Sequence, residues 1–279
     1  MSARFERPAS LVEATQLLAG GGCRVLAGGT DLYPAHVGRP LTRPLVDITG
    51  IEGLRGIRRN PSGWSIGAAT TWTDVLRAEL PPLFDALKRA AREIGGVQIQ
   101  NAGTVAGNLC NASPAADGTP VLIALEAEVV LRSGEGERRV GAADFVLGSR
   151  RTACAPHELV VAIEVPARSA RARSVFLKLG GRRYLTISVT MVAVVLDADA
   201  AGVVSRAAVA VGSCSARARR LLALEAKLVG ARLSADLPAA VAAADLEPLT
   251  PIDDLRASAA YRLDATATLL RRALAELAR

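Results

Sequence analysis

The sequence predicts an α+β protein, and three observations carry that prediction. Short strands and helices are mixed over the first 169 residues, where two pairs of strand patterns are joined by hairpin-like turns. Three long strand patterns follow one another after residue 170, and helical patterns then continue to the end of the chain. We therefore expect one unit over residues 1–169 and a second over residues 170–279, the second built on a three-stranded antiparallel sheet with helices.

Residues 10–48 predict a small α/β unit. Ser10 and Glu13 have the spacing of a capping box, and an apolar helical stripe follows them as far as the glycines at 20–22. Residues 24–27 form a short apolar run that ends in Gly-Gly-Thr-Asp, as a strand does where it turns into a helix. Residues 45–48 predict a further strand.

The rest of the first unit predicts a mixed, mainly antiparallel sheet with helices. The sequence Asn-Pro-Ser-Gly at 60–63 has the chemistry of a tight turn between two strands. The predicted elements are a hairpin of residues 54–59 and 64–68, a helix from Asp74 capped by Thr73, a helix over 82–94, a hairpin of residues 129–132 and 138–140, and a strand over 159–165.

A stretch rich in Ala, Arg and Ser at 167–173 predicts the boundary between the units, which we place between residues 169 and 170. Beyond it, apolar runs of strand length come first and helical periodicity comes later. The predicted elements are strands at 175–179, 189–196 and 203–211 and helices at 216–229, 235–244 and 258–277.

Composition argues against several classes of function. The four cysteines contain no C-x-x-C pair, so neither zinc nor iron–sulfur ligation is indicated. The net charge of +7 comes with only 3% aromatic residues and scattered arginines, which argues against nucleic-acid binding and favours an acidic partner surface. No apolar run reaches the roughly 20 residues of a membrane helix, and the N-terminus lacks the order of a secretory signal, so we expect a cytoplasmic protein.

The first candidate binding segment follows the strand at 24–27. Glycines after a strand let backbone N–H groups approach a phosphate without a Cβ in the way, and a helix start adds partial positive charge. Neither the G-x-G-x-x-G fingerprint nor a phosphate loop ending in Gly-Lys occurs in the chain. A turn without a ligand is the alternative. The segment consists of Val25, Leu26, Ala27, Gly28, Gly29, Thr30, Asp31 and Leu32.

The second candidate segment is dense in small and polar residues from 104 to 117. Thr104, Asn108 and Ser113 can donate hydrogen bonds to phosphate oxygens, and Asp117 can accept them from hydroxyl groups. A long surface loop held by Asx and Ser/Thr turns is the alternative. Two such segments, about 75 residues apart, suit a ligand with two phosphates. The centre of the segment consists of Thr104, Val105, Ala106, Gly107 and Asn108.

Together, VLAGGTDL at 25–32 and TVAGNLCNASPAADGTPVLIAL at 104–125 closely resemble the FAD-binding subunit of the molybdenum hydroxylases. This family includes the xanthine dehydrogenase flavin domain and the carbon monoxide dehydrogenase flavoprotein subunit. The tail TPIDDLRASAAYRLDATATLLRRAL at 250–274 resembles the C-terminal signature of the family. The resemblance implies a two-loop FAD-binding domain of the PCMH type over 1–169 and a carbon monoxide dehydrogenase flavoprotein-like C-terminal domain over 170–279.

The resemblance also implies roles for single residues. Both segments would hold the diphosphate of FAD, mainly through backbone amides. Asp117 matches an aspartate that contacts the cofactor, Ile94 and Leu159 fall near positions that line the flavin site, and Lys178 matches a lysine beside the flavin. A positive charge there would favour an anionic reduced flavin, whereas an exposed strand lysine is the alternative. Relatives carry an acidic residue after that lysine, where this chain has Gly-Gly-Arg-Arg at 180–183, which leaves the electron acceptor open.

Partners follow from the resemblance as well. Substrate would be hydroxylated at a molybdopterin cofactor on a large subunit, and electrons would cross 2Fe-2S clusters on a small subunit, in a dimer of heterotrimers. This chain would take those electrons and pass them to an acceptor such as NAD. His36 and His157 lie outside the matched segments, so we expect FAD to be bound without a covalent link. The isolated chain should show only weak diaphorase-like activity.

Two other functions fit the same residues. One is a self-sufficient flavin reductase or oxidase on the same fold, which the C-terminal signature disfavours. The other is a structural subunit without flavin. We further expect valine in place of Gly28 or Gly107 to abolish FAD retention, because its side chain would occupy the place of phosphate oxygens.

Overall fold

Local sequence chemistry sets the ends of many elements. Ser10 caps the first helix by accepting a hydrogen bond from the Glu13 amide, and Ser258 caps the last helix through the Tyr261 amide. The computed structural model describes residues 4–279. The strands are β1 (Phe5–Glu6), β2 (Arg24–Leu26), β3 (Leu45–Asp47), β4 (Ile57–Asn60), β5 (Gly63–Gly67), β6 (Glu128–Ser133), β7 (Gly136–Gly141), β8 (Val146–Gly148), β9 (Arg151–Thr152), β10 (Leu159–Pro166), β11 (Arg173–Gly180), β12 (Ser188–Ala198), β13 (Val204–Gly212) and β14 (Arg219–Arg220).

Helices cover the faces of the sheets and join them. Short 3₁₀ helices occupy Pro34–His36, Pro82–Phe84, Leu237–Ala240 and Ala243–Leu246. The α-helices are α1 (Leu11–Leu18), α2 (Trp72–Arg77), α3 (Asp85–Glu93), α4 (Val97–Ala102), α5 (Val105–Asn111), α6 (Gly118–Ala124), α7 (Ala142–Phe145), α8 (Leu222–Leu228) and α9 (Ala259–Leu277). No helix within residues 4–279 has both the length and the apolar character needed to cross a bilayer.

The strands form separate sheets along the chain. A parallel sheet has the order β1-β3-β2, and an antiparallel sheet has the order β4-β5-β10-β6-β7. A third sheet, also antiparallel, has the order β11-β12-β13-β14, while β8 and β9 form a short ribbon. The predicted α+β class is confirmed, and both predicted hairpins form, with Arg59 opposite Trp64 and Val129 opposite Val140.

The C-terminal part differs from the prediction in two places. Its sheet has four strands rather than three, because Arg219–Arg220 pairs with Val211 and Ala210 of β13; the helix predicted over 216–229 is therefore shortened to α8. The helix predicted over 235–244 is replaced by two 3₁₀ turns. Pro238 supplies no amide for a continuous helix, and the Asp245 carboxylate accepts from the Ala242 amide to start a new turn.

The start of α2 also differs. The prediction of Thr73 as the cap of a helix from Asp74 is wrong, because Thr71 is the cap. The Thr71 hydroxyl accepts from the Asp74 amide at 3.2 Å, and the Asp74 carboxylate accepts from the Thr71 amide at 2.9 Å. Thr73 instead donates to the Asn101 side chain. Two reciprocal bonds at Thr71 explain why the helix begins earlier.

The chain has two apolar cores, and the first of them extends past α6 onto one face of the C-terminal sheet, where it includes Phe176, Met191 and Ala210. The N-terminal core surrounds Trp72 and Phe84, and the C-terminal core lies between β12, β13 and α9. Every residue of α6 is buried, and this helix packs against β12 and β13 of the C-terminal sheet. The segment just before α6 is thereby fixed between the two parts.

Candidate functional site

A cleft of about 570 Å³ lies beside β2, α5 and the start of β10. Its volume is in the range of pockets that hold small molecules and cofactors. Residues from both predicted binding segments line it, and so do two apolar residues predicted from the resemblance. The predicted residues that line the cleft are Val25, Leu26, Ala27, Gly28, Gly29, Thr30, Asp31, Leu32, Ile94, Thr104, Ala106, Gly107, Asn108 and Leu159.

Backbone amides of the first segment are available to a ligand. Within residues 4–279, none of the amides of residues 28–32 donates to another protein group, whereas the next amide, that of Tyr33, donates to the Gly29 carbonyl at 3.0 Å. Gly29 has φ = +69°, a conformation that turns successive N–H groups toward one side of the chain. Such a run of free amides is typical of an anion-binding site.

Gly28 holds the two segments against each other. A Cβ at this position would lie 1.8 Å from the Ala102 carbonyl oxygen and 2.9 Å from the Gly103 nitrogen. Valine at Gly28 would therefore act in a different way from the expected direct displacement of phosphate oxygens. A side chain there would first force the segment before α5 away from the first segment. At Gly107 a Cβ would lie 2.7 Å from the Thr104 hydroxyl, which caps α5.

The centre of the second segment is the start of a helix, so the alternative of a long surface loop is wrong for residues 105–111. Thr104 caps α5 by accepting from the Gly107 amide at 2.9 Å, and the Val105 amide donates to the Thr70 carbonyl at 3.0 Å. Of the first three amides of α5, that of Ala106 is left without an acceptor within residues 4–279. Asn108 accepts from the Gly118 amide through Oδ1, so its Nδ2 remains able to donate into the cleft.

Side chains and backbone groups join the two segments. The Asn111 Nδ2 group at the end of α5 donates to the Asp31 carboxylate at 2.7 Å, and Arg150 donates in turn to the Asn111 side chain. The Trp72 amide donates to the Gly103 carbonyl at 3.1 Å. These bonds hold the free amides of the first segment and the N-terminus of α5 beside the same cleft.

The cleft has a third wall, of which only Leu159 was predicted from the sequence. It is formed by the turn before β10 and includes Cys154 and Glu158. The Glu158 side chain is 8% exposed and accepts from Arg138 Nε at 2.5 Å and from the Ala155 amide at 2.7 Å. The hydrogen bond from Arg138 lowers the pKa of this carboxyl, so its charge is balanced. Arg138 lies on β7 and Glu158 lies 20 positions later in the turn before β10, a pairing that no local pattern indicates.

Arg24 and three cysteines also line the cleft, and the sequence did not single them out for it. Arg24 adds a positive charge beside the free amides. Cys23, Cys110 and Cys154 contribute thiols. Burial raises the pKa of Cys154 to about 11, so this thiol is protonated near neutral pH and is a poor nucleophile. A protonated thiol is consistent with a cofactor held without a covalent bond.

Four predicted site residues lie outside the cleft lining. Val105 is a buried core residue, and the Ser113 hydroxyl accepts from the Ala115 amide in a turn. Asp117 and Lys178 form a buried ion pair at 2.6 Å, in which the lysine side chain is 6% exposed. The alternative that Lys178 is an exposed strand lysine is therefore wrong. Contact of these residues with a cofactor stays a prediction.

The donors and walls of the cleft fit a flavin dinucleotide. Free backbone amides at 28–32, the Ala106 amide and Arg24 can meet a diphosphate. Ile94, Ile99 and Leu159 supply apolar surface for ring systems. A ligand with a diphosphate and aromatic rings requires both hydrogen-bond donors for the phosphates and an apolar surface beside them for the rings.

Comparisons with known proteins agree with this chemistry. Residues 1–168 match the family described as FAD binding domain in molybdopterin dehydrogenase, and residues 176–277 match the CO dehydrogenase flavoprotein C-terminal domain. The glyceraldehyde dehydrogenase medium chain of Sulfolobus acidocaldarius is 32% identical, covering 98% of this chain and 98% of its own. The xanthine dehydrogenase FAD-binding subunit of Escherichia coli is 31% identical, covering 98% and 95%.

Solved structures show the same relationship. Carbon monoxide dehydrogenase from Hydrogenophaga pseudoflava, in a form that lacks the Mo-pyranopterin moiety, matches with a TM-score of 0.87 and 32% identity over 98% of this chain and 96% of that chain. The family match over residues 1–168 includes every residue that lines the cleft. The chain therefore belongs to the FAD-binding medium subunits of the molybdenum hydroxylase family.

Proposed function

We propose that this chain binds FAD without a covalent link in the cleft and relays electrons within a larger molybdenum hydroxylase. The observation that carries the proposal is the run of free amides at 28–32 facing the capped start of α5. These groups would bind the diphosphate, while Ile94 and Leu159 would pack on the ring system. Bound FAD supplies the redox chemistry, and the chain supplies placement and tuning.

The proposed partners are a large molybdopterin-binding subunit and a small iron–sulfur subunit, assembled as a dimer of heterotrimers in the cytoplasm. Electrons would reach this chain from the clusters of the small subunit and leave to an acceptor such as NAD. The relatives named medium chain or FAD-binding subunit support a role within a complex. We also propose that residues 1–169 and 170–279 are the two domains. The parallel sheet, the five-stranded sheet and the β8–β9 ribbon all lie before residue 167, and the four-stranded sheet lies after residue 172.

Reconstitution tests the cofactor. The purified chain is incubated with FAD, desalted and denatured with acid, and the flavin is measured before and after denaturation. We expect close to one FAD per chain, all of it released into the supernatant. Failure to take up FAD would favour the structural subunit, and flavin that stays with the denatured protein would contradict non-covalent binding.

Activity of the pure chain tests the relay. We expect slow NADH-dependent dye reduction from the FAD-loaded chain, and fast dye reduction with substrate as the electron donor only when the partner subunits are co-expressed. An isolated chain that turns over at full rate on its own would favour the self-sufficient flavin reductase or oxidase instead.

A further inference from the structure

A second cavity, of about 540 Å³, lies outside the cleft. It runs between α3 and the loop of residues 181–187, which joins β11 to β12. Its lining consists of Arg89, Arg92 and Glu93 of α3, residues 176–180 of β11, and Arg182 and Arg183 of the loop. We call this cavity the basic groove.

The edge of a sheet faces the basic groove. β11 is the first strand in the order of its sheet and pairs only with β12 among the described strands. Five successive residues of β11, at 176–180, line the groove. Because side chains of a strand alternate between two faces, a lining of successive residues places the backbone edge itself against the groove. Unpaired N–H and C=O groups on such an edge can pair with another extended chain.

The charge of the groove favours an acidic ligand. Its lining has five basic side chains and one acidic side chain, Glu93. Within residues 4–279, Arg92, Arg182 and Arg183 form no salt bridge, whereas Arg89 pairs with Glu276. Lys178 donates to Asp117 and to the Thr186 carbonyl, so one of its three N–H groups is left over. The groove has two rims, α3 and the loop of residues 181–187, and the lining residues of each rim carry a net positive charge.

The loop beside the groove also carries exposed apolar residues. Tyr184, Leu185 and Ile187 are 59%, 58% and 55% exposed. Arginine and tyrosine are enriched where proteins bind one another, and a small anion would leave this apolar surface in water. The combination favours a protein partner over a free phosphate or nucleotide.

We propose that the basic groove binds an extended acidic segment of a partner protein, which adds to the edge of β11 as a further strand. Main-chain hydrogen bonds along β11 would hold the segment, and Arg92 and Arg183 would pair with its carboxylates from opposite rims. No residue lines both the groove and the FAD cleft, although Lys178 of the groove is also the residue that the resemblance places beside the flavin.

The test uses the full chain and a fluorescein-labelled peptide, Glu-Val-Glu-Thr-Asp-Val-Glu, measured by fluorescence anisotropy. A peptide with lysine at every acidic position is the control probe. The variant is Arg92→Gln with Arg183→Gln, and the control is Arg59→Gln with Arg171→Gln, two exposed arginines that lie outside the groove and have no salt bridge within residues 4–279. Both variants change the net charge equally.

We expect the acidic peptide to bind, the lysine peptide not to bind, and the groove variant to weaken binding about tenfold or more, with the control variant unchanged. Hydrogen exchange of the unmodified chain should slow at 177–180 when the acidic peptide is added. No binding, equal weakening in both variants, or binding without protection of β11 would overturn the proposal. So would inorganic pyrophosphate that binds the groove when the peptide does not.

Discussion

At the scale of single residues, two adjacent glycines serve the first binding segment in different ways. Gly29 takes the positive φ that aims the free amides, and a Cβ there would lie 2.5 Å from the Tyr33 ring. Gly28 leaves room for the Ala102 carbonyl. The sequence shows only that both residues are glycines, and both were interpreted as leaving space for a phosphate. Long-range contact with residues 102–103 is not visible in any local pattern.

Alanine at Gly28 tests that contact. We expect Gly28→Ala to lower the free energy of unfolding by about 1–3 kcal/mol, because overpacking against a backbone carbonyl forces the segments apart, and to weaken FAD binding in parallel. Gly22→Ala is the control, since nothing lies within 4 Å of a Cβ there. Urea unfolding and FAD titration measure the two effects. Unchanged FAD affinity in a destabilised Gly28→Ala protein would separate this contact from the binding site.

Glu158 makes the stability of the protein depend on pH. Its hydrogen bonds from Arg138 and the Ala155 amide lower the pKa in the folded state. A lowered carboxyl pKa contributes stability that is present above the unfolded pKa of about 4.3 and is lost as pH falls through the folded pKa. We expect Glu158→Gln to cost about 1–3 kcal/mol at pH 7, because charge-assisted hydrogen bonds are lost.

That difference should begin to shrink below about pH 4.3, where the carboxyl of the unfolded chain takes up a proton, and should be lost as pH falls through the lower pKa of the folded protein. Urea unfolding of both proteins between pH 7 and pH 3 measures it, with Glu135→Gln in the exposed β6–β7 turn as a control. A Glu158→Gln penalty that is the same at every pH would show that the pair does not set the pH dependence.

At the scale of elements, strands were easier to predict than the binding segment. The strand patterns at 129–132 and 159–165 match β6 and β10 to within two residues at each end, because both are short runs rich in apolar and β-branched residues. No helix was predicted at residues 104–108, because their small and polar side chains were interpreted as leaving the backbone free for a ligand. The helix forms because Thr104 caps it and Leu109 is buried on its inner face.

The cap of α5 offers a prediction at this scale. Thr104→Val keeps the shape of the side chain and removes the acceptor for the Gly107 amide, so we expect a loss of about 1 kcal/mol in the free energy of unfolding and weaker FAD binding. Thr104→Ser keeps the hydroxyl and should behave like the unmodified chain. Equal effects of serine and valine would mean that the methyl group, and not the cap, sets the position of α5.

At the scale of the whole molecule, the ion pair of Asp117 and Lys178 links the two parts of the chain. Asp117 precedes α6 in the N-terminal part, and Lys178 and Ser188 belong to the C-terminal sheet. The Ser188 hydroxyl donates to the second carboxylate oxygen at 2.6 Å. The resemblance pointed to both residues separately. Their pairing depends on tertiary structure, because 61 positions separate them in the chain.

Removing the lysine tests this link. We expect Lys178→Met to cost about 3–5 kcal/mol, because it leaves a buried carboxylate without its partner, and Asp117→Asn combined with Lys178→Met to recover most of that loss. Lys88→Met is the control, a half-buried lysine of α3 without a salt bridge within residues 4–279. Thermal unfolding monitored by circular dichroism measures all three. A double variant as unstable as Lys178→Met alone would show that the charge pair is not what the lysine provides.

The function proposed for this chain depends on where the diphosphate of FAD binds. A crystal structure of the chain with FAD tests this most directly. We expect diphosphate oxygens within hydrogen-bonding distance of the amides at 28–32 and of the start of α5, with the flavin ring beyond them against apolar residues of the cleft. A diphosphate bound elsewhere, or held by side chains while those amides face solvent, would contradict it.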